Sequence, residues 1–263
     1  MADSQVKTIG QVLRTTAFFE TEQHTCETHG EFRDTMMPNG KWTGCTTCYA
    51  EHRELERLEA KRQAEEYERE ERLRAARVPK RFREATLESF VPSCDAAKKA
   101  LNLATSYADD FDQFKADGTC MIFCGGVGTG KTHLAVGIIK RVLDRNMRAR
   151  FSSVIDAVRS VKETYGRDSE KTEQEAIDEF LRPALLVLDE VGAQFGTDAE
   201  KLILFQIING RYEKVLPTIV ISNLAKDALG EFIGERVIDR LRENGGRLIA
   251  FDWASHRRNA AKE

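Results

Sequence analysis

Residues 125–132 read Gly-Gly-Val-Gly-Thr-Gly-Lys-Thr, and this stretch decides the fold. The segment before it, Cys120-Met-Ile-Phe-Cys124, is apolar and strand-like. The segment after it, His133-Leu-Ala-Val-Gly-Ile-Ile-Lys-Arg-Val-Leu143, has helical periodicity. Strand, glycine loop and helix are the context a phosphate-binding loop needs. The glycines let the backbone curl until its N–H groups face a nucleotide's phosphates, and the helix N-terminus adds partial positive charge. The expected nucleotide-binding residues are Gly125, Gly126, Val127, Gly128, Thr129, Gly130, Lys131, Thr132 and His133. Lys131 is expected to reach the β- and γ-phosphates of ATP, and Thr132 to offer its hydroxyl to Mg²⁺.

A second element completes this expectation. Residues 185–190 read Leu-Leu-Val-Leu-Asp-Glu. The apolar residues make a buried strand, as parallel sheets require. Asp189 then falls at the strand's carboxyl end, where α/β sheets bind ligands. With Thr132 it is the expected magnesium residue, and Glu190 is expected to polarise the water that attacks the γ-phosphate. Ile219-Val-Ile-Ser-Asn223 is another buried strand with a polar end. Asn223 either orients that water or serves as an ordinary turn residue. In Gly234-Glu-Arg-Val-Ile-Asp-Arg-Leu-Arg242, residues Arg236, Asp239 and Arg240 share one helical face. That face either presents an Arg to a neighbouring subunit's γ-phosphate or forms surface ion pairs.

Working outward, the chain reads as three regions. Residues 79–263 alternate strands with helices and predict a parallel sheet covered on both faces. The expected strands are 120–124, 148–153, 185–189, 218–222 and 247–252. The expected helices are 94–115, 131–145, 154–165, an acidic one near 170–181, 199–214, and a helical stretch near 225–243. Residues 51–78 are rich in Glu, Arg, Lys, Leu and Ala and predict a charged helical linker, either a solvated spacer or a partner-docking helix. Glu65–Arg69, Glu68–Arg72 and Glu70–Arg74 have the favourable four-residue spacing.

Residues 1–50 hold Cys26-Glu-Thr-His29 and Cys45-Thr-Thr-Cys48. Two such pairs suit a tetrahedral Zn²⁺ with Cys26, His29, Cys45 and Cys48 as ligands. His24 and His52 break the paired spacing and are weaker candidates, while Phe32 and Trp42 are the expected small core. A segment this short buries little surface, so a metal would supply most of its folding energy. Cys94, Cys120 and Cys124 read as small buried hydrophobes.

Composition sets outer bounds. The 263 residues suffice for one α/β domain with a small appendage. A net charge of −3 excludes a generally basic nucleic-acid coat but leaves room for a local basic groove. No apolar run approaches the roughly 20 residues needed to span a bilayer, and the first residues lack an apolar signal core. The expectation is a cytoplasmic protein without a disulfide framework. A small-molecule kinase would carry a basic lid after the second helix, where this chain is acidic (Glu170, Glu173, Glu175, Asp178, Glu179).

Taken together, residues 128–135, 185–192, 219–223, 234–241 and 251–257 resemble the DnaC/IstB-like group of AAA+ ATPases, which includes bacterial and phage replicative helicase loaders. The resemblance covers about residues 80–263. It implies an AAA+ core without a separate lid domain, and Asn223 as the sensor 1 residue. It further implies Arg240 as the arginine finger, with Arg236 as the alternative, and Arg257 as the sensor 2 residue. Its implied partners are a hexameric replicative helicase, single-stranded DNA and further copies of the chain in an ATP-dependent oligomer. The available stacking aromatics are Phe151, Tyr165, Phe195 and Tyr212. A transposition helper that acts with a transposase on duplex DNA shares the same core. The cysteine segment 26–48 has no matching counterpart in the loader. Lys131→Ala is expected to abolish ATP binding, measured by titration with a fluorescent nucleotide.

Overall fold

The computed structural model describes residues 20–166, 168–192 and 197–256. Contacts divide the chain between Glu68 and Arg69. In the first unit β1 (Thr21–Cys26) and β2 (Gly30–Thr35) form an antiparallel hairpin, with Thr21 opposite Thr35 and Cys26 opposite Gly30. The hairpin's polar centre is Asp34. It accepts the Thr43 hydroxyl at 2.7 Å and the N–H groups of Gly44 at 2.9 Å and Thr35 at 2.8 Å. Burial alone would raise its pKa, but these bonds and His24, 2.9 Å away, hold it at about 2. His24 also packs edge-on against Trp42 and Phe32.

Helix α1 (Thr46–Ala75) follows. Every residue from Tyr49 to Arg69 is exposed, as a solvated helix requires. The expected linker 51–78 nevertheless ends early. Leu73, Ala76 and Val78 are buried in the second unit's core. Phe151 donates its N–H to the Ala76 carbonyl at 2.7 Å, and Glu70 pairs with Arg83 at 3.0 Å. Three apolar residues at the end of a charged run are too few to register as a period.

The second unit runs α2 (Asp95–Asp109), α3 (Phe111–Asp117), β3 (Met121–Gly125), α4 (Lys131–Asp144), β4 (Ala149–Ser153) and α5 (Val154–Lys162). It continues with α6 (Glu173–Leu181), β5 (Leu185–Val191), α7 (Asp198–Glu213), β6 (Thr218–Ser222), α8 (Lys226–Ile233), α9 (Glu235–Arg242) and β7 (Arg247–Phe251). The helix expected over 94–115 is two helices, because the Asp110 backbone leaves the helical region and Phe111 turns into the core. Capping boxes Thr172–Glu175 and Thr197–Glu200 start α6 and α7. Cys94 is exposed and caps α2 through its sulfur, so it is not the buried hydrophobe expected, whereas Cys120 and Cys124 are buried.

The sheet is parallel throughout, in the order β4-β5-β6-β3-β7. Alternate strand residues feed two cores. Met121, Phe123, Leu185 and Val187 meet α2 and α4 residues such as Ala104, Leu134 and Ile138. Ile122, Leu186 and Leu188 meet Val158, Phe180, Ile207 and Val237 from α5, α6, α7 and α9. Both faces are therefore covered, and ligands have access only at the strand ends.

One buried cation locks the amino-terminal end of this sheet. Arg211 of α7 is 0% exposed. Its guanidinium donates to the carbonyls of Phe180 at 2.7 Å, Pro183 at 3.0 Å and Pro217 at 2.6 Å, and to the Thr218 hydroxyl at 2.9 Å. Burial lowers its pKa to about 10, so it stays charged at neutral pH. Arg211→Met keeps the apolar stem and strands these acceptors, and is expected to cost at least about 3 kcal/mol, read from urea unfolding.

Candidate nucleotide site and metal cluster

The loop between β3 and α4 curls through positive-φ glycines at Gly125, Gly128 and Gly130. A methyl group on Gly130 would sit 2.4 Å from the Phe90 ring, and one on Gly125 would sit 2.4 Å from the Phe251 carbonyl. Only glycine fits either place. The loop is braced from inside. Lys131 Nζ donates to the carbonyls of Gly125 at 2.8 Å and Gly126 at 2.6 Å, and Thr129 Oγ1 donates to Gly126 at 2.8 Å. It is also braced from behind. Trp253 Nε1 donates to the Thr129 carbonyl at 3.0 Å, and the His256 N–H to that of Gly128 at 3.0 Å.

Thr132 is the second residue of α4 and donates its hydroxyl to Asp189 Oδ2 at 2.9 Å. The other Asp189 oxygen accepts the Glu190 N–H at 2.7 Å. Burial pushes the Asp189 pKa up, against the pull of Thr132, the Glu190 N–H and Lys131. Glu190 is exposed at φ +63°, inside a bulge where β5 loses register between Leu188 and Val191. The bulge turns its carboxylate out of the strand plane toward the site. Asn223 follows β6 and is exposed.

These residues line a cavity of about 390 Å³ together with Phe90, Val91, Trp253 and His256. His133 Nε2 lies 2.8 Å from the Thr86 carbonyl and 3.1 Å from Ser89 Oγ, and its ring meets Phe90 edge-on. The cavity thus has a polar, phosphate-sized end at Lys131 and Asp189 and an aromatic wall at Phe90. Sequence reasoning missed Phe90 and Trp253. An isolated aromatic far from the loop carries no spacing signal; only the Asp-Trp pair after β7 hinted at one.

The outlying candidates lie as follows. Arg240 is half-buried on α9, bonded to Asn209 and set over the rings of Tyr212 at 5.2 Å and Phe205 at 5.8 Å. Arg236 is exposed. Arg257 and Phe195 lie outside the described residues. Phe151 is core, so it is not a stacking candidate, because β4 turns it toward α4. Tyr165 is 57% exposed.

A family model described as IstB-like ATP binding protein matches residues 46–242. The chain belongs to this family. The replicative helicase loader DnaC of Escherichia coli strain K12 is 33% identical over 172 residues, 65% of this chain and 69% of the relative. The protein YdaV of the same strain is 31% identical over 220 residues, 81% of this chain and 87% of the relative. A crystal structure of the DnaC helicase loader superposes with a TM-score of 0.59 at 24% identity, over 65% of this chain and 99% of that one. The fold is that of the AAA+ ATPases, and membership implies nucleotide binding with Mg²⁺. The residues fit both groups. The open glycine cradle suits phosphates, and Thr132 with Asp189 offers hard oxygen donors at one point.

Three of the four expected zinc ligands, Cys26, His29 and Cys45, precede the stretch this family shares. The ligand atoms of Cys26, His29, Cys45 and Cys48 all lie within 4.8 Å of one another. His29 turns Nδ1 toward the sulfurs, 3.3 Å from that of Cys48, and Nε2 toward Glu51 at 3.1 Å. A metal-binding imidazole with a carboxylate on its far nitrogen is the usual arrangement for zinc. N–H groups of His29 and Thr28 lower the Cys26 thiol to about 6, while its proximity raises Cys48 to about 12. Three thiols and one imidazole converging on a point suit Zn²⁺. Among the described residues, no helix is long and apolar enough to cross a membrane.

The raised pKa of Asp189 sets a test with a defined sign. The folded state holds this proton more tightly than the unfolded chain, so the group's contribution favours folding at low pH and is lost as pH rises through the folded value. At neutral pH the ionised carboxylate opposes folding. Asp189→Asn is therefore expected to raise the melting temperature in Mg²⁺-free buffer, with Thr132 accepting from the new amide, and to abolish Mg²⁺-dependent ATP hydrolysis.

Proposed function

We propose that this protein is an ATP-dependent loader of a hexameric replicative helicase onto single-stranded DNA. The observation that carries the reading is its likeness, over a span of 172 residues, to DnaC, a protein named as a replicative helicase loader. The site geometry supports it. Lys131 exchanges its loop carbonyls for the β- and γ-phosphates of ATP. Thr132 and Asp189 would hold Mg²⁺, which supplies charge neutralisation on the phosphate oxygens. Glu190 takes a proton from the attacking water, and Asn223 orients that water. Arg240 of one copy reaches the γ-phosphate bound by the next, so ATP joins copies and hydrolysis parts them. Arg257 carries the sensor 2 role that the family resemblance implies for it. Turnover is slow, as befits a switch.

In this reading the first unit is the partner-binding arm. Zn²⁺ held by Cys26, His29, Cys45 and Cys48 shapes the hairpin, and α1 carries it. Single-stranded DNA is the second partner in this reading, with the exposed Tyr165 available to stack on its bases. The alternative is a transposition helper ATPase that acts with a transposase on duplex DNA through the same core.

The test is to mix the protein with the host's replicative helicase and ATP and measure the complex by size-exclusion chromatography with light scattering. A stable complex is expected that is lost on zinc chelation while ATP binding persists. Arg240→Ala is expected to bind ATP normally, to lose ATP-dependent self-assembly and to slow hydrolysis by about 10³-fold. Failure of the intact protein to bind the helicase, with capture of a transposase instead, would overturn the loader reading.

A further inference from the structure

A trans peptide group is planar, so the carbonyl of one residue and the N–H of the next point in opposite directions. Anchoring a loop carbonyl on one side therefore aims the following N–H to the other. Beyond the Lys131 bonds to the Gly125 and Gly126 carbonyls, three further anchors act on the loop. The Gly126 carbonyl accepts from Thr129 Oγ1 at 2.8 Å, which fixes the Val127 N–H. The Gly128 carbonyl accepts from the His256 N–H at 3.0 Å, which fixes the Thr129 N–H. The Thr129 carbonyl accepts from Trp253 Nε1 at 3.0 Å, which fixes the Gly130 N–H.

Two of these anchors come from the segment after β7, more than a hundred residues from the loop (|i−j| is 124 for Trp253–Thr129). That segment has little freedom. The Trp253 ring packs on Phe251 at 4.7 Å, and Phe251 packs on Phe123 at 5.3 Å and is fully buried. The Phe251 carbonyl accepts the Gly126 N–H at 2.9 Å. Loop and strap thus share an aromatic foundation in β3 and β7.

We infer that Trp253 is a positioning residue for the nucleotide, its indole N–H holding the Thr129–Gly130 peptide so that the Gly130 N–H donates to a phosphate oxygen. This rests on reading residues 125–132 as the ATP site. The indole touches no reacting atom. It removes the freedom of a glycine-flanked peptide to rotate, so the donor is set before ATP arrives.

Trp253→Phe keeps a ring on Phe251 and removes the N–H. It is expected to weaken ATP binding by about three- to tenfold, the worth of one hydrogen bond, without changing the nucleotide-free melting temperature. In ¹⁵N-glycine-labelled protein the Gly130 amide resonance is expected to move in the variant before ATP is added. Where phenylalanine repacks and lowers the melting temperature, 3-benzothienylalanine at position 253 keeps the indole shape without its donor and gives the same readouts. Unchanged ATP affinity in these variants, or weakened affinity with an unmoved Gly130 resonance, overturns the positioning role. Lys131→Ala run alongside separates the two readings. If it also binds ATP normally, the nucleotide site itself is misplaced.

Discussion

The hydrogen bond from Thr132 to Asp189 joins two strands that are not neighbours. β6 lies between β3 and β5, so the residues that follow those strands start about 10 Å apart, two strand spacings. Small residues stand at the ends of the strands between and beside them, Ser222 in β6 and Gly192 after β5. Ser222 is buried and donates to the Val191 carbonyl at 2.6 Å, and Gly192 fits where a side chain would meet Leu224 at 2.4 Å. Asp189 stays in the strand and points at Thr132, whereas Glu190 takes the extra residue's place in the β5 bulge and stands exposed at the cavity's rim. One register slip thus gives two adjacent carboxylates different surroundings, one buried and hydrogen-bonded, the other exposed.

Much of this was legible in the sequence, and the reason is locality. The glycine loop, the strand ending in Asp189 and the paired cysteine spacing each rest on residues close together in the chain. Strand limits read from apolar runs fall within a residue or two of those observed, because buried parallel strands are nearly all apolar. The unread parts depend on distant partners. Phe90 matters only because it lies over Gly130, and Trp253 only because it reaches Thr129. Arg211 sat in an amphipathic helix, where an Arg ordinarily points to water. Nothing nearby shows that five acceptors from α6, β6 and their loops await it. The early end of the linker has the same origin, since Leu73 and Val78 gain meaning only beside α4 and β4.

The first unit follows a different logic from the second. Its hairpin leaves most residues exposed, and Asp34 rather than an apolar cluster gathers its loop. A carboxyl held at about 2 by four hydrogen bonds fixes Thr35, Thr43 and Gly44, and so brings Cys45 and Cys48 back toward Cys26. Polar pinning can set the geometry of a ligand cluster, but it contributes little folding free energy because each bond replaces one to water. A metal bond network is the interaction strong enough to close such a segment.

The surroundings of Arg240 bear on the trans-acting role proposed for it. Among the described residues its partners are the Asn209 amide and the faces of Tyr212 and Phe205. A carboxylate partner would hold the guanidinium equally well but cancel the charge that a phosphate needs to see. Ring faces and an amide oxygen orient the group by weak forces and leave its charge whole. Tyr212 is itself fixed by its hydroxyl on Glu243 at 2.7 Å, just past the end of α9. The helix bearing the cation and the helix bearing the rings are therefore tied at two places, Arg240 to Asn209 and Tyr212 to Glu243.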